Sequence, residues 1–100
     1  MVKTAFVVIR SPQELDASRI IAGMSDRADA VVILFEDAVY NAVLADRADG
    51  LDRVAGDVQV ARDDLEARGY ESSDLKVGRA VEYADIVDTI MEATERTVSA

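Results

Sequence analysis

The chain has 100 residues, half of them apolar, and a net charge of −9. That is enough apolar material for one buried core and too much for a disordered tail. Cysteine and histidine are both absent, which excludes disulfides, thiolate nucleophiles, sulfur carriers and imidazole chemistry from these residues.

Thr4 to Ile9 is an apolar run and reads as a first strand, central in its sheet. Ser11 and Glu14 have capping-box spacing, with Pro12 at the first helical position. A helix is predicted to follow, with Ala17, Ile20, Ile21 and Met24 on one face. It stops before the polar loop Asp26-Arg27-Ala28-Asp29.

Ala30 to Phe35 is the second strand. Its unbroken, β-branched run is the signature of a strand covered on both faces, which requires helices above and below. Glu36 and Asp37 suit the positive end of a following helix, predicted over 37–45. Val39 with Val43, and Tyr40 with Leu44, form its stripes. Asp46 to Gly50 reads as a loop of aspartates and glycine, with Leu51 and Val54 packed beneath it.

Asp57 to Ala61 is the third strand. Asp63 is a candidate N-cap, with Glu66 at the capping-box position, Gly69 as C-terminal glycine and Tyr70 as the apolar contact after it. Ser72-Ser73-Asp74 is a turn. Val77 to Val81 is a short fourth strand, weakened by Gly78. The last helix is predicted from Glu82 to about Arg96, on the stripe Tyr83, Ile86, Val87, Ile90, Met91 and Thr94. Thr97-Val98 is a terminal extended piece.

This alternation predicts a single α/β domain over residues 1–100. The expected architecture is a three-layer sandwich, a four-stranded, mostly parallel sheet of order 2-1-3-4 with helices on both faces. Ligands would then bind outside the carboxyl ends of strands 1 and 3. No stretch is apolar and long enough to span a bilayer, and Met1-Val2-Lys3 does not read as a signal peptide, so a cytoplasmic location is expected. The acidity repels phosphate backbones and argues against direct nucleic-acid binding. Only Lys3 and Lys76 are lysines, and most acids are aspartate, a bias similar to that of proteins from salt-accumulating halophiles.

Three clusters fall at predicted carboxyl ends of strands. Arg10 and Ser11, with Gln13, could hold an anion at a helix start, although a simple cap with an exposed arginine is the favoured explanation. Glu36 and Asp37, with Tyr40, could ligate a divalent metal or share a proton, although helix-start acids plus a half-buried tyrosine are the favoured explanation. Arg62, Asp63 and Asp64 are explained mostly by capping. A phosphate loop, a dinucleotide fingerprint and a nucleophile elbow are absent from the sequence. A phosphoacceptor receiver is excluded because strand 1 ends in Arg-Ser-Pro and no lysine follows Lys76.

Taken together, the ordered motifs resemble the DsrE/DsrH/TusB sulfur-relay superfamily, and DsrH/TusB-like proteins within it. The matching stretches are Val32-Ile33-Leu34-Phe35-Glu36-Asp37-Ala38-Val39-Tyr40, the strand-to-helix segment Val58 to Tyr70, and Val81-Glu82-Tyr83-Ala84-Asp85-Ile86-Val87-Asp88. The resemblance implies a small α/β fold and a cytoplasmic oligomer, either a homodimer or a hetero-oligomer with DsrE/DsrF-like subunits. In such relays cysteine-bearing subunits carry persulfide sulfur toward tRNA thiolation or sulfur oxidation, and TusB-like subunits pack against them. With no cysteine here, the implied role is a non-catalytic partner subunit with no cofactor and no catalytic residue. Arg10, Ser11, Glu36, Asp37, Tyr40, Arg62, Asp63 and Asp64 are the interface or cleft candidates. The alternative reading is a small-ligand or divalent-metal enzyme using Glu36 and Asp37; a stand-alone protein that has left the relay is a third.

Overall fold

The computed structural model describes residues 3–100; Met1 and Val2, part of the segment read above for a signal peptide, lie outside the described residues. Five strands, β1 (Thr4–Val8), β2 (Ala30–Leu34), β3 (Asp57–Ala61), β4 (Arg79–Val81) and β5 (Arg96–Ser99), form one sheet of order β4-β3-β2-β1-β5. Every pairing is parallel. The α/β class with a parallel sheet is as expected, but the strand number and the order 2-1-3-4 are corrected.

Both corrections lie in the path of the crossovers. Each of the first three crossovers steps to the next position on the same side, so β1 to β4 lie in sequence order across the sheet. The chain then returns across the sheet and places β5 beside β1. Right-handed crossovers are compatible with this order and with the expected one, and local sequence does not choose between them. The point where strand order reverses therefore lies between β1 and β5, not between strands 1 and 3. Of the expected switch-point residues, only Arg10 and Ser11 remain beside it.

The fifth strand is short and polar, and its sequence is easily taken for the tail of a helix. The last helix, α5 (Tyr83–Asp88), runs into a π-helical turn at Thr89–Ala93 and ends there, short of the predicted Arg96. The Thr94 hydroxyl donates to the carbonyls of Thr89 and Ile90 at 3.3 and 3.1 Å, taking up acceptors that the helix end leaves free. The Glu95 N–H then donates to the Lys3 carbonyl at 2.8 Å, which leads the chain into β5, where Thr97 and Val98 pair with Ala5 and Phe6.

Helices α1 (Ala17–Ala22), α2 (Tyr40–Val43), α3 (Ala45–Val54) and α4 (Arg62–Ala67) accompany these strands. The α1 helix begins later than the Ser11 signal indicates. Asp16 is its cap, accepting from the Arg19 N–H and the Ser18 hydroxyl, and the Ser18 bond first, then Arg19, holds its carboxyl below the usual aspartate value. Ser11 closes an isolated turn instead, its carbonyl accepting from the Glu14 and Leu15 N–H groups. The expected Asp46–Gly50 loop is also corrected, because those residues lie inside α3. Ala48 and Leu51 are buried one turn apart and override the helix-breaking tendency of Gly50. The α4 helix ends as expected: Gly69 has φ +83°, the Gly69 N–H donates to the Glu66 carbonyl and the Tyr70 N–H to that of Leu65. This is a Schellman ending, with Tyr70 edge-on to Tyr40 at 6.0 Å.

The apolar side chains form two clusters, one on each face of the sheet. The larger contains Phe6, Val8, Val32, Leu34 and Val60 of the strands with Ile21, Val39, Leu51 and Leu65 of the helices. The smaller contains Ala5, Val31, Ile33, Ala61 and Val81, and Ile86 of α5 is its one fully buried helical contribution. Gln59 ties α5 down on this side, its amide donating to the Thr89 hydroxyl at 2.9 Å.

Gly78 has φ +74°, and a Cβ there would lie 2.5 Å from the Val58 carbonyl oxygen. Gly78→Ala is expected to lower unfolding stability by about 2 kcal/mol or more, from left-handed strain and the backbone clash combined. Urea denaturation measures this, and a loss near zero contradicts the described β3–β4 packing.

Candidate functional site

All strands being parallel, their carboxyl ends emerge along one edge of the sheet, and the three predicted clusters are found there. β2 leaves the sheet through Phe35 into a 3₁₀ turn at Glu36–Val39, which leads directly into α2. At the junction Glu36 adopts φ +49°, a left-handed conformation that side chains other than glycine rarely occupy. Its N–H is thereby free to donate to Asp64 Oδ2 at 2.8 Å.

Asp64 bridges two neighbouring segments, because its Oδ1 accepts from the Tyr83 hydroxyl at 3.3 Å. The Tyr83 ring stacks on Phe35, with centroids 5.8 Å apart and planes 15° apart. Loss of water around the phenol raises its pKa above the usual tyrosine value, and the Asp64 charge and hydrogen bond push it further. Asp63, which is exposed, and Glu36 add to the same shift.

Beside this group Arg68 Nε and Nη2 both donate to Asp37 Oδ1, at 3.0 and 2.9 Å, while its Nη1 donates to the Asp64 carbonyl at 3.0 Å. Arg68 thus fastens the loop after β2 to the end of α4. Farther along, Arg62 pairs with Glu82 at 2.7 Å, joining the segments after β3 and β4. Glu82 also caps α5 through a reciprocal capping box with Asp85.

Ser11 joins these residues through a groove. Ser11, Pro12 and Gln13 line it together with Asp37, Tyr40 and Leu44, enclosing about 420 Å³. Leu44 is 48% exposed there. Arg10 is exposed at the end of β1 and stands outside the groove lining.

Ser11, Asp37 and Tyr40 are therefore groove residues, Glu36 and Asp64 form the adjoining hydrogen-bonded group, and Arg62 and Asp63 lie toward β4. Asp63 does not cap α4, whose N-cap is Ala61 with no side-chain bond. Phe35, Arg68 and Tyr83 are the members that sequence reasoning missed. Tyr83 reads as one residue of a helical stripe; Arg68 carries a usable signal, standing four residues after Asp64 on one helix face.

The Asp37 carboxylate is taken up by Arg68, so Glu36 and Asp37 do not present two free acids to a cation. Among the described residues no group of three or more metal-ligating side chains is assembled. What the edge presents is an acidic, tyrosine-bearing surface beside a small groove, with no thiol or imidazole group in the chain to act as nucleophile.

Asp64→Ala removes the acceptor for both the Glu36 N–H and the Tyr83 hydroxyl. The expected loss is about 1–2 kcal/mol in urea denaturation, with Tyr83 titrating closer to the ordinary tyrosine value by phenolate absorbance. The sign of the pH effect follows from the raised pKa. Tyr83 stabilises the fold fully below the unfolded-state tyrosine value and loses that contribution as pH rises through the folded one. Glu36→Gly relieves the left-handed conformation and is expected to be neutral or to stabilise by up to about 1 kcal/mol. A loss larger than that in the same denaturation assay shows that the Glu36 side chain itself holds the edge together.

Residues 10–96 match the family of DsrH like proteins. No curated protein matches the chain.

Proposed function

The chain belongs to the DsrH-like family, within the DsrE/DsrH/TusB sulfur-relay group, and from that premise we propose that it is a non-catalytic subunit of a sulfur-relay complex. It works by assembling with cysteine-bearing paralogues of the DsrE/DsrF type, in the cytoplasm, in a pathway that delivers sulfur for tRNA 2-thiouridine or for a related transfer. One observation carries the reading: a chain matched to this family over most of its length contains no cysteine. Persulfide sulfur must be held on a thiolate, so the sulfur in such a complex resides on another subunit. A structural role for this chain accounts for both facts.

The carboxyl edge supports that role. Arg10, Ser11, Glu36, Asp37, Tyr40, Arg62, Asp63 and Asp64 contribute to a cleft or interface there. Tyr40, Leu44 and Pro12 supply apolar contact, and Ser11, Gln13 and Asp37 supply polar partners, a mixture suited to receiving part of another protein. Among the described residues no helix is long and apolar enough to cross a membrane.

The test is reconstitution. Mixed with a cysteine-bearing DsrE/DsrF-type subunit, the purified chain is expected to form a complex of defined mass by light scattering. It should hold no cyanolysable sulfur when incubated alone with a persulfide donor and desalted. Stable sulfur on the isolated polypeptide, or failure to associate with any such subunit, overturns the proposal.

A further inference from the structure

The two faces of the sheet are unequally covered. On the larger-cluster side, helical residues from α1 to α4 pack over the strands. On the other side, α5 and its π-helical extension are the covering element, anchored over β3 by the Gln59–Thr89 bond. An all-parallel sheet ordinarily has both faces covered along its whole width. Here cover on the second face thins toward the carboxyl ends of β1 and β2. Ala5 is buried, Val7 and Phe35 are half-buried, and Ile9, next in the same alternation, is 48% exposed. From Tyr83, which stacks on Phe35, α5 and its π-helical extension carry an apolar stripe that turns away from the core: Tyr83 at 47% exposure, Val87 at 55% and Met91 at 76%.

We infer that the exposed apolar strip of this side, made of Tyr83, Val87 and Met91 with Ile9 at the end of β1, is the docking surface for a different protein chain that presents an apolar stripe with lysine or arginine along its flanks. Charge complementarity chooses the occupant. Asp85, Asp88 and Glu92 are exposed along α5 beside the stripe, in a chain of net charge −9. A second copy would bring the same three acids against them, and like charges set opposite each other in an interface cost several kcal/mol. A basic-flanked partner removes that cost and covers the exposed Val87 and Met91. The inference rests on the partner-subunit reading above and names the surface and its chemistry.

The probe is a synthetic amphipathic helical peptide with a leucine stripe flanked by lysines, titrated into the isotope-labelled full chain in moderate salt. A peptide of the same stripe flanked by glutamates is the control. Amide shifts are expected to saturate and to cluster at residues 5–9, 35 and 83–91. Affinity is expected to fall about tenfold or more for the glutamate-flanked peptide, and likewise for Val87→Asp and for Met91→Asp. Both substitutions are at exposed positions, and an unchanged amide spectrum elsewhere verifies the fold. Shifts centred on Pro12, Tyr40 and Leu44, shifts scattered over the acidic surface, or indifference to Val87→Asp overturn the inference. So does self-association of the free chain that Val87→Asp abolishes, which would identify a second copy as the occupant. The titration needs no cysteine-bearing subunit, so failed reconstitution leaves it standing. Conversely, a relay complex that still forms with Val87→Asp keeps the functional reading and removes the surface.

Discussion

The structure depends on the burial of β2. All five of its residues, Ala30 to Leu34, are buried, with β1 on one side and β3 on the other. A strand enclosed in this way has its backbone groups satisfied by neighbouring strands and its side chains by a layer above and a layer below. Joining it to parallel neighbours requires crossovers, and the crossovers bring the helices. Once the strands are parallel, every carboxyl end emerges on the same edge, so residues far apart in the chain meet there without any local signal for the meeting.

That edge is held by hydrogen bonds between loops. Asp64 accepts from the backbone after β2 and from the hydroxyl at the start of α5, and Arg68 reaches from the end of α4 back to Asp37. The left-handed Glu36 sits at the centre of this arrangement. Its conformation is unfavourable in isolation and persists because the Asp64 bond and the tight β2-to-α2 turn specify it together. The acids that looked like helix-start residues or metal ligands are in good part structural ties, and this directs the functional reading toward assembly.

The unequal cover of the two sheet faces points the same way. One crossover, from β4 back to β5, covers the second face alone, and it leaves Val7 and Phe35 half-buried and Ile9 exposed at the carboxyl ends of β1 and β2. Chemistry on a thiolate is closed to this chain, whereas it offers a tyrosine-bearing acidic edge, a small groove and an incompletely covered face, all suited to contact with other proteins.

Much was decided by the sequence alone. Continuous apolar runs marked β1 and β2, because a strand buried on both faces leaves no alternation to confuse with a helix. Gly69 marked the end of α4, because few other residues accept its positive φ. The absence of cysteine and histidine removed whole classes of chemistry regardless of fold. Tertiary structure decided the rest. Asp46 to Gly50 became helix because Ala48 and Leu51 found a core to enter, a gain that local propensity does not register. Thr97 and Val98 became a strand because the Glu95 N–H met the Lys3 carbonyl, a contact between the two ends of the described chain. The order of β1 to β4 and the partners of Asp64 follow from where the first three crossovers land, and the switch point from where the last one does. They rest on pairings between distant segments, and such pairings have no period or spacing that can be seen along the chain.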